Sequence, residues 1–473
     1  MPIKFGTDGW RAVIGEEYTY ENLRFCAQGT ADYLKESGFS KRGLTVGYDT
    51  RFASNDFAAA FAEVMAGNGI VTALTDRATP TPVVSYNLVA SGAGGGAVIT
   101  ASHNPACWNG FKYKPDYGGS ASPNVVAELE TKIAKTQLSG DVCRMPIGLA
   151  ERKGLVNRFD PRPAYAKHVA RLVDLDAIKR SGIRVVVDSM YGAGSGYIAE
   201  LANGALCDVV EIRNESNPSF PGMSQPEPLA HNLCGLQNEV SQTNADLGLA
   251  TDGDADRLGI VDENGRYIST LQTFALLCMY RLEVMGDRGP LVRSITMTSM
   301  IDRLGSIYGV PVFVTPVGFK HIGPVVMREN ALAAGEESGG YAFRGGIPER
   351  DGILSGLMVV EMVAKTGKRI SELLDSLTTK VGPHHYNRWD IEFDESQRTS
   401  VTKRLDGASP ATLAGVPVET IDKQDGFRFV LRGGFWVMVR FSGTEPIVRI
   451  YAEAESPDIV TDLLTEARAM VGI

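Results

Sequence analysis

The feature that most constrains this chain is a rhythm that starts three times. Short apolar runs rich in Val and Ile alternate with longer amphipathic segments, first as "GLTVGYD", "NDFAAAFAEVMAGNG" and "IVTALTD". That is the β-α-β order of a layered α/β domain, and residues 43–101 fit one such unit. The pattern restarts at "GIRVVVDSMYGAGSGYIAELANG", where a buried strand ends in Asp and a glycine-rich turn opens a helix. It restarts again at "GPLVRSITMTSMIDRLGSIYGVPVFVTPVGF". From about Gly382 the texture changes to alternating strands, Gly-Gly turns and one closing amphipathic helix, which predicts a smaller α+β domain. With 473 residues the chain is too long for one core, so three similar α/β domains and a smaller fourth are expected.

Composition removes several functional classes. The formal net charge is -9 and no Lys/Arg cluster is long enough to track a polynucleotide, so nucleic-acid binding is not expected. Cys26, Cys107, Cys143, Cys207, Cys234 and Cys278 show no C-x-x-C spacing, which speaks against a zinc site or disulfide framework and for reduced thiols. The N-terminus "MPIKFGTDGWR" lacks a signal pattern, and no apolar run approaches the ~20 residues that span a bilayer. A cytoplasmic protein without a membrane partner is expected.

Four polar loops interrupt the apolar pattern. In "AVITASHNPACWNGFK", Ser102 ends a strand and precedes His103, Asn104 and Pro105. Ser102 or Asn104 could cap a helix. Ser102 could also be a nucleophile, but the G-x-S-x-G elbow of an acyl-transfer serine is absent. In "ATDGDADRLGIVDENG", Asp252, Asp254 and Asp256 crowd three carboxylates into five residues, which calls for a hard cation. Together with Glu263 they fall at EF-hand positions, but Arg257 stands where that loop needs Gly and the flanks read as strands. Mg²⁺ completing its shell with a phosphate oxygen fits better.

In "AAGEESGGYAFRGGIPERDGI", Glu336, Glu337 and Ser338 sit among small residues that would let a polyhydroxylated ligand approach; an exposed turn would look the same. In "VMVRFSGTEPIVRIYAE", Arg440, Ser442, Gly443, Thr444 and Arg449 surround a tight turn. They are the ingredients of a phosphate cradle, or else of a plain hairpin with arginines at its strand edges. A serine, a carboxylate triad, a hydroxyl-binding loop and a remote phosphate cradle together suit phosphoryl transfer on a sugar phosphate.

"TASHNP", "DGDADR", "GEESGG" and "RFSGTEP", in this order over nearly the whole chain, resemble the four signature loops of the α-D-phosphohexomutases, the phosphoglucomutase/phosphomannomutase superfamily. "FGTDGWR" and "VGYDTR" are similar to its N-terminal loop and first-domain strand ending. The resemblance implies four domains around a central cleft: a phosphoserine domain (1–155), a metal-binding domain (156–264), a sugar-binding domain (265–383) and a phosphate-binding C-terminal domain (384–473).

It also implies roles. Ser102 would carry the phosphoryl group and, with Asp252, Asp254 and Asp256, bind Mg²⁺, with Arg11 and Arg257 near the transferring phosphate. Lys112 matches the family's acid/base lysine, which would need a lowered pKa to act as base, and His103 is a second candidate. The plain alternative for Lys112 is a solvated charge at a strand end. In "TPVGFKHIG", Lys320, with Gly318 and His321, resembles a substrate-contacting loop; Glu336 and Ser338 would take sugar hydroxyls.

The implied activity interconverts hexose 1- and 6-phosphates through a hexose 1,6-bisphosphate, in a monomer or homodimer. Glucose phosphate is the first choice and mannose phosphate the next. Gly340 departs from relatives selective for mannose or glucosamine phosphates, which end this loop in His. A phosphoglucosamine mutase or a metal-dependent sugar-phosphate phosphatase are the alternatives.

Overall fold

The computed structural model describes residues 2–442 and 447–472. Among them the strands assemble into four sheets. The first runs in space as Trp10–Val13, Trp108–Pro115, Gly95–Ile99, Leu44–Tyr48, Thr72–Thr75 and Val156–Phe159. Leu44–Tyr48 is parallel to both neighbours, and the helices Ser54–Gly67 and Thr81–Ser91 make the crossovers, which is the β-α-β unit of residues 43–101. Val156–Phe159 pairs with Thr72–Thr75 and so lies in this sheet, past the boundary expected at residue 155.

The second sheet orders Tyr267–Ile268, Leu258–Asp262, Leu247–Thr251, Arg184–Asp188 and Asp208–Ile212; the third orders Val312–Thr315, Leu291–Ser294, Ala333–Gly335 and Tyr341–Phe343. One plan repeats in all three. A buried strand parallel to a neighbour runs into a polar loop and returns as its own antiparallel partner: Gly95–Ile99 into Trp108–Pro115, Leu247–Thr251 into Leu258–Asp262, Ala333–Gly335 into Tyr341–Phe343. Ser102, the three aspartates and the Glu336–Ser338 loop thus occupy equivalent places. Each lies at the carboxyl end of a parallel strand, where open α/β sheets bind ligands.

The same hairpin corrects one expectation. Neither Ser102 nor Asn104 caps a helix, because the chain turns directly into the strand Trp108–Pro115. Pro105 suits that turn, its carbonyl accepting from Trp108 N at 3.0 Å.

The fourth sheet is antiparallel throughout: His385–Glu392, Ile447–Ala454, Trp436–Phe441, Phe427–Leu431, Val416–Asp422 and Thr412–Leu413. Gly433 and Gly434, with φ of 86° and 83°, make the tight turn between its middle strands. The closing helix Pro457–Val471 is capped by Ser456 and packs Val460, Leu463, Leu464 and Ala467 onto the sheet.

The helix Gly352–Thr366 is apolar nearly all round, as a helix between two layers must be, and merges the second and third cores through Leu357, Val360, Leu249 and Tyr341. The fourth unit docks on the third through Trp436, Met438 and Tyr451 against Ile295. The buried Glu453 adds polar ties, accepting from Trp436 Nε1 at 2.9 Å, Ser299 N at 2.8 Å and Ser299 Oγ at 2.6 Å. Among the described residues no helix is long and apolar enough to cross a membrane.

Candidate active site

Ser102 is almost fully buried and adopts the left-handed region, with φ of 51°. For a residue with a Cβ this is a strained conformation, of the kind found where a side chain must be aimed. Its Oγ donates to Asp252 Oδ2 at 2.8 Å and lies 3.3 Å from His103 Nδ1. The metal-type loop meets the serine loop closely: a Cβ on Gly253 would stand 2.5 Å from the Ser102 carbonyl oxygen, so only glycine fits there.

Asp252, Asp254 and Asp256 are fully buried, and one oxygen from each lies within 4.8 Å of the others. Each spends part of its capacity on protein. Asp252 Oδ1 accepts from Asp256 N and Arg257 N, and Asp254 Oδ2 accepts from Thr81 Oγ1 at 2.5 Å. Asp254 Oδ1 and Asp256 Oδ1 are buried with no hydrogen-bond partner. Burial, with the charges of Asp256 and Asp254, pushes the Asp252 carboxyl well above its usual range. Three buried carboxylates that each bring an oxygen within 4.8 Å of the others, two of them with an unpartnered oxygen, are a donor set that fits Mg²⁺.

Lys112 lies in the middle of Trp108–Pro115, paired with Val98 across the sheet and fully buried. It is no solvated strand-end charge. Its Nζ lies 2.8 Å from Asp254 Oδ2, 3.1 Å from Asp256 Oδ2 and 3.1 Å from Asp8 Oδ2. Burial alone would lower the ammonium, but Asp254, Asp256 and Asp8 outweigh it and hold it above the usual lysine range. The lowered pKa that a lysine base would need is therefore not found, because its immediate neighbours are carboxylates. His103 goes the other way: burial and then Arg257, Arg11, Lys112 and Arg51 hold its imidazole well below the usual range.

Arg11 Nη1 donates to Asn104 Oδ1 at 2.7 Å, beside the serine. Arg257 is pinned by Glu227, and its Nε lies 4.0 Å from Asp256 Oδ1. The structure thus gathers Ser102, His103, Lys112, Arg11, Arg257 and the three aspartates at one point.

The third loop reaches the same cluster through a residue that sequence reasoning missed. Arg350 Nη2 lies 2.7 Å from Asp8 Oδ2 and 3.0 Å from Asp256 Oδ2, Nε lies 3.2 Å from Glu349 Oε1, and Nη1 lies 3.6 Å from Glu336 Oε2. Glu349 in turn pairs with Lys114 at 2.5 Å and accepts from Ser120 Oγ at 2.7 Å. Gly340 makes room for this arginine, since a Cβ there would stand 2.2 Å from Arg350 Cδ. Glu336 is buried and its carboxyl is raised by burial against the pull of Arg350 and Arg257. Glu337 faces the fourth unit, accepting from Tyr386 OH at 2.8 Å and Arg388 Nη1 at 3.1 Å; Ser338 is half-buried beside it. Asp8 lies in "FGTDGWR", which by itself gives it no role, and no local pattern flags Glu349 or Arg350; all three matter because three units converge.

Lys320 sits in the first turn of the helix Phe319–Glu329, half-buried like His321. Gly318, at φ of 116°, abuts Thr7, which brings this loop against "FGTDGWR". The fourth-loop residues stand apart from the carboxylate cluster. Arg440 and Arg449 face each other across neighbouring strands, with Arg440 Nε 3.1 Å from Asp425 Oδ2 and Arg449 Nε 3.6 Å from Asp390 Oδ2. Ser442 N donates to the Ile447 carbonyl at 2.9 Å. Gly443 and Thr444 lie outside the described residues. Asp425 also accepts from Val317 N at 2.8 Å and so ties Arg440 to the Lys320 loop.

Residues 2–139, 163–265, 271–381 and 398–470 match, in order, the α/β/α domains I, II and III and the C-terminal domain of the phosphoglucomutase/phosphomannomutase family. A Thermococcus kodakarensis phosphoglucomutase/phosphomannomutase is 33% identical over 97% of this chain and 96% of its own. A Methanothermobacter thermautotrophicus protein assigned as a phosphoglucosamine mutase is 32% identical over 97% of this chain and 95% of its own. A crystal structure of a Thermus thermophilus protein assigned as a phosphomannomutase superposes with a TM-score of 0.85 at 34% identity, covering 100% of both chains. The chain belongs to the phosphoglucomutase/phosphomannomutase family of the α-D-phosphohexomutases, which are intramolecular phosphotransferases.

Proposed function

We propose that the chain is a Mg²⁺-dependent phosphohexomutase that interconverts glucose 1-phosphate and glucose 6-phosphate. The observation that carries this is the bond from Ser102 Oγ to Asp252, inside a buried triad that also holds Lys112. Phosphorylated Ser102 passes its phosphoryl group to the free hydroxyl of the hexose monophosphate: the serine P–O bond breaks, a sugar P–O bond forms, and the hydroxyl proton leaves. His103, whose Nδ1 lies 3.3 Å from Ser102 Oγ, is assigned to take that proton, and Lys112, held as an ammonium by Asp254, Asp256 and Asp8, is in the state to return one to the departing serine oxygen. The resulting hexose 1,6-bisphosphate turns end for end and returns its other phosphate to Ser102. Asp252, Asp254 and Asp256, with the phosphorylated serine, would hold the Mg²⁺, which when bound offsets phosphoryl charge.

Arg11 and Arg257 serve the transferring phosphate, Lys320, Glu336 and Ser338 the sugar, and Arg440, Ser442, Gly443, Thr444 and Arg449 the phosphate at rest. A cradle of this kind accepts either end of the sugar, because both ends present the same dianion. Glucose is favoured over an amino sugar because Arg350 already stands as a permanent cation 3.6 Å from Glu336, the carboxylate assigned to the sugar, and would repel an ammonium brought to it. Relatives assigned as phosphoglucosamine mutases make the amino sugar the second reading.

The test supplies glucose, mannose, glucosamine and N-acetylglucosamine 1-phosphates with Mg²⁺ and catalytic bisphosphate, following isomerised product and free phosphate separately. Glucose 6-phosphate should form fastest, without phosphate release, and S102A and chelation should each abolish it. Near-normal turnover in S102A would overturn the assignment, and stoichiometric phosphate release would make the protein a phosphatase.

A further inference from the structure

Both backbone polar groups of the strained Ser102 are held by one buried network that starts at Arg51. The Arg51 side chain is fully buried. Its Nη2 donates to the carbonyls of Ser102 and Asn104, both at 2.6 Å, and its Nη1 to those of Pro105 at 2.9 Å and Trp108 at 3.0 Å. A single planar guanidinium therefore binds four carbonyls of the loop. Behind it, Asp49 Oδ2 lies 3.2 Å from Arg51 Nε and accepts from Thr100 Oγ1 at 2.6 Å. Thr100 Oγ1 in turn accepts from Ser102 N at 2.8 Å. Ser54 Oγ holds the other oxygen of Asp49 at 2.7 Å, and Phe220, from the second unit, lies against the guanidinium with its ring centre 5.1 Å from Cζ.

We propose that Arg51 is a positioning residue for the phosphoryl-transfer step: with Asp49 and Thr100 it closes a ring of bonds on the N–H and C=O of Ser102, holds its φ of 51°, and so aims Oγ at Asp252. The ring explains why arginine stands here. Lysine keeps the charge but offers one nitrogen, which cannot reach four carbonyls spread from residue 102 to residue 108. It also explains why the loop needs no helix to support it, since its carbonyls are satisfied by a side chain. The proposal rests on Ser102 being the residue that carries phosphate.

The test compares R51K and T100V with the unaltered chain. T100V leaves Arg51 in place and removes the Thr100 hydroxyl, so that Ser102 N loses its acceptor and Asp49 Oδ2 loses a donor. Each variant is assayed with glucose 1-phosphate and bisphosphate, and amide exchange is followed across residues 100–108. R51K should lose about 100-fold in kcat with KM within about threefold, because a reacting atom displaced by an ångström costs that much. T100V should fall in the same direction by a smaller factor. Exchange should rise in residues 100–108 of both variants and stay unchanged in the other three units.

An unaltered kcat in R51K or T100V overturns the proposal, as does unaltered exchange in that loop. If R51K does not fold, T100V decides alone. If the unaltered chain turns over no hexose phosphate, the functional reading fails, and the exchange measurement still reads the clamp.

Discussion

Lys112 and Asp254 form a fully buried ion pair, 2.8 Å long, that joins the first unit to the second. The same ammonium also faces Asp256 and Asp8, so one cation balances a concentration of negative charge that burial alone would not tolerate. Removing one partner of such a pair typically costs about 3–5 kcal/mol, because the other charge is left uncompensated. K112M should therefore lower the melting temperature in chelator, and should lose turnover. On the proposed site Mg²⁺ would share the carboxylates with Lys112, so it should raise the melting temperature of K112M more than that of the unaltered chain. Equal Mg²⁺ shifts in the two proteins, read by thermal unfolding, would show that the lysine and the ion do not share ligands.

Asp252 gives the opposite expectation for stability. Its carboxyl is raised by burial and by Asp256 and Asp254, so its charge opposes folding when no cation is present. Asparagine keeps an oxygen to accept from Asp256 N and Arg257 N while removing the charge. D252N should be more stable than the unaltered protein in chelator by about 1–2 kcal/mol, and should lose at least about 100-fold in kcat. Denaturant unfolding in EDTA reads the first, and a destabilised D252N would mean that its hydrogen bonds outweigh the repulsion.

How much of this was legible beforehand depended on whether a signal was local. The β-α-β rhythm is local, because strand and helix periods are written in consecutive residues, and so are three carboxylates in five positions. The cap reading of Ser102 failed because a strand that returns as a hairpin and one that enters a helix can share the same polar loop. For Lys112 the resemblance pointed to the site, but not to its partners, which come from another unit and from the N-terminal loop and leave no trace in the residues beside it. Glu349 and Arg350 were invisible for the same reason, and Arg51 stood in "VGYDTR" without any sign of its role. Gly340 did mark a departure from relatives, but only the fold shows that an arginine ten positions on takes its space.

That exchange of volume is testable. Alanine at Gly340 would place a Cβ 2.2 Å from Arg350 Cδ, so the arginine must leave its carboxylates or the loop must move. G340A should cost about 1–3 kcal/mol by overpacking, and R350A about 3–5 kcal/mol by removing one of the cations on Asp8, Asp256 and Glu349 and the cation paired with Glu336. Their effects should not add, because the Cβ added at residue 340 clashes with the very side chain that R350A removes. A double-mutant cycle in thermal unfolding measures this, and strictly additive losses would mean that Gly340 and Arg350 act independently. In the hexose panel, both variants should lower the preference for glucose phosphate over glucosamine phosphate.

Asp351 provides a pH test on a carboxyl that is not one of the triad. It is buried at the start of the helix Gly352–Thr366, where it accepts from Leu354 N at 2.9 Å and from Tyr165 OH at 2.8 Å. Burial pushes its carboxyl up to about 6, against the lowering by those two bonds. The unfolded chain releases this proton near pH 4 and the folded chain only near pH 6, so between them the folded state binds more protons. Stability from this group is fully present below about pH 4 and falls as pH rises through 6, by up to about 3 kcal/mol. Asparagine retains the cap oxygen without the charge. D351N should match the unaltered protein near pH 4 and exceed it progressively up to pH 7, by about 1–3 kcal/mol. The difference in unfolding free energy across that range is the measurement; a difference that stays flat with pH would show that Asp351 ionises at its ordinary value in the fold.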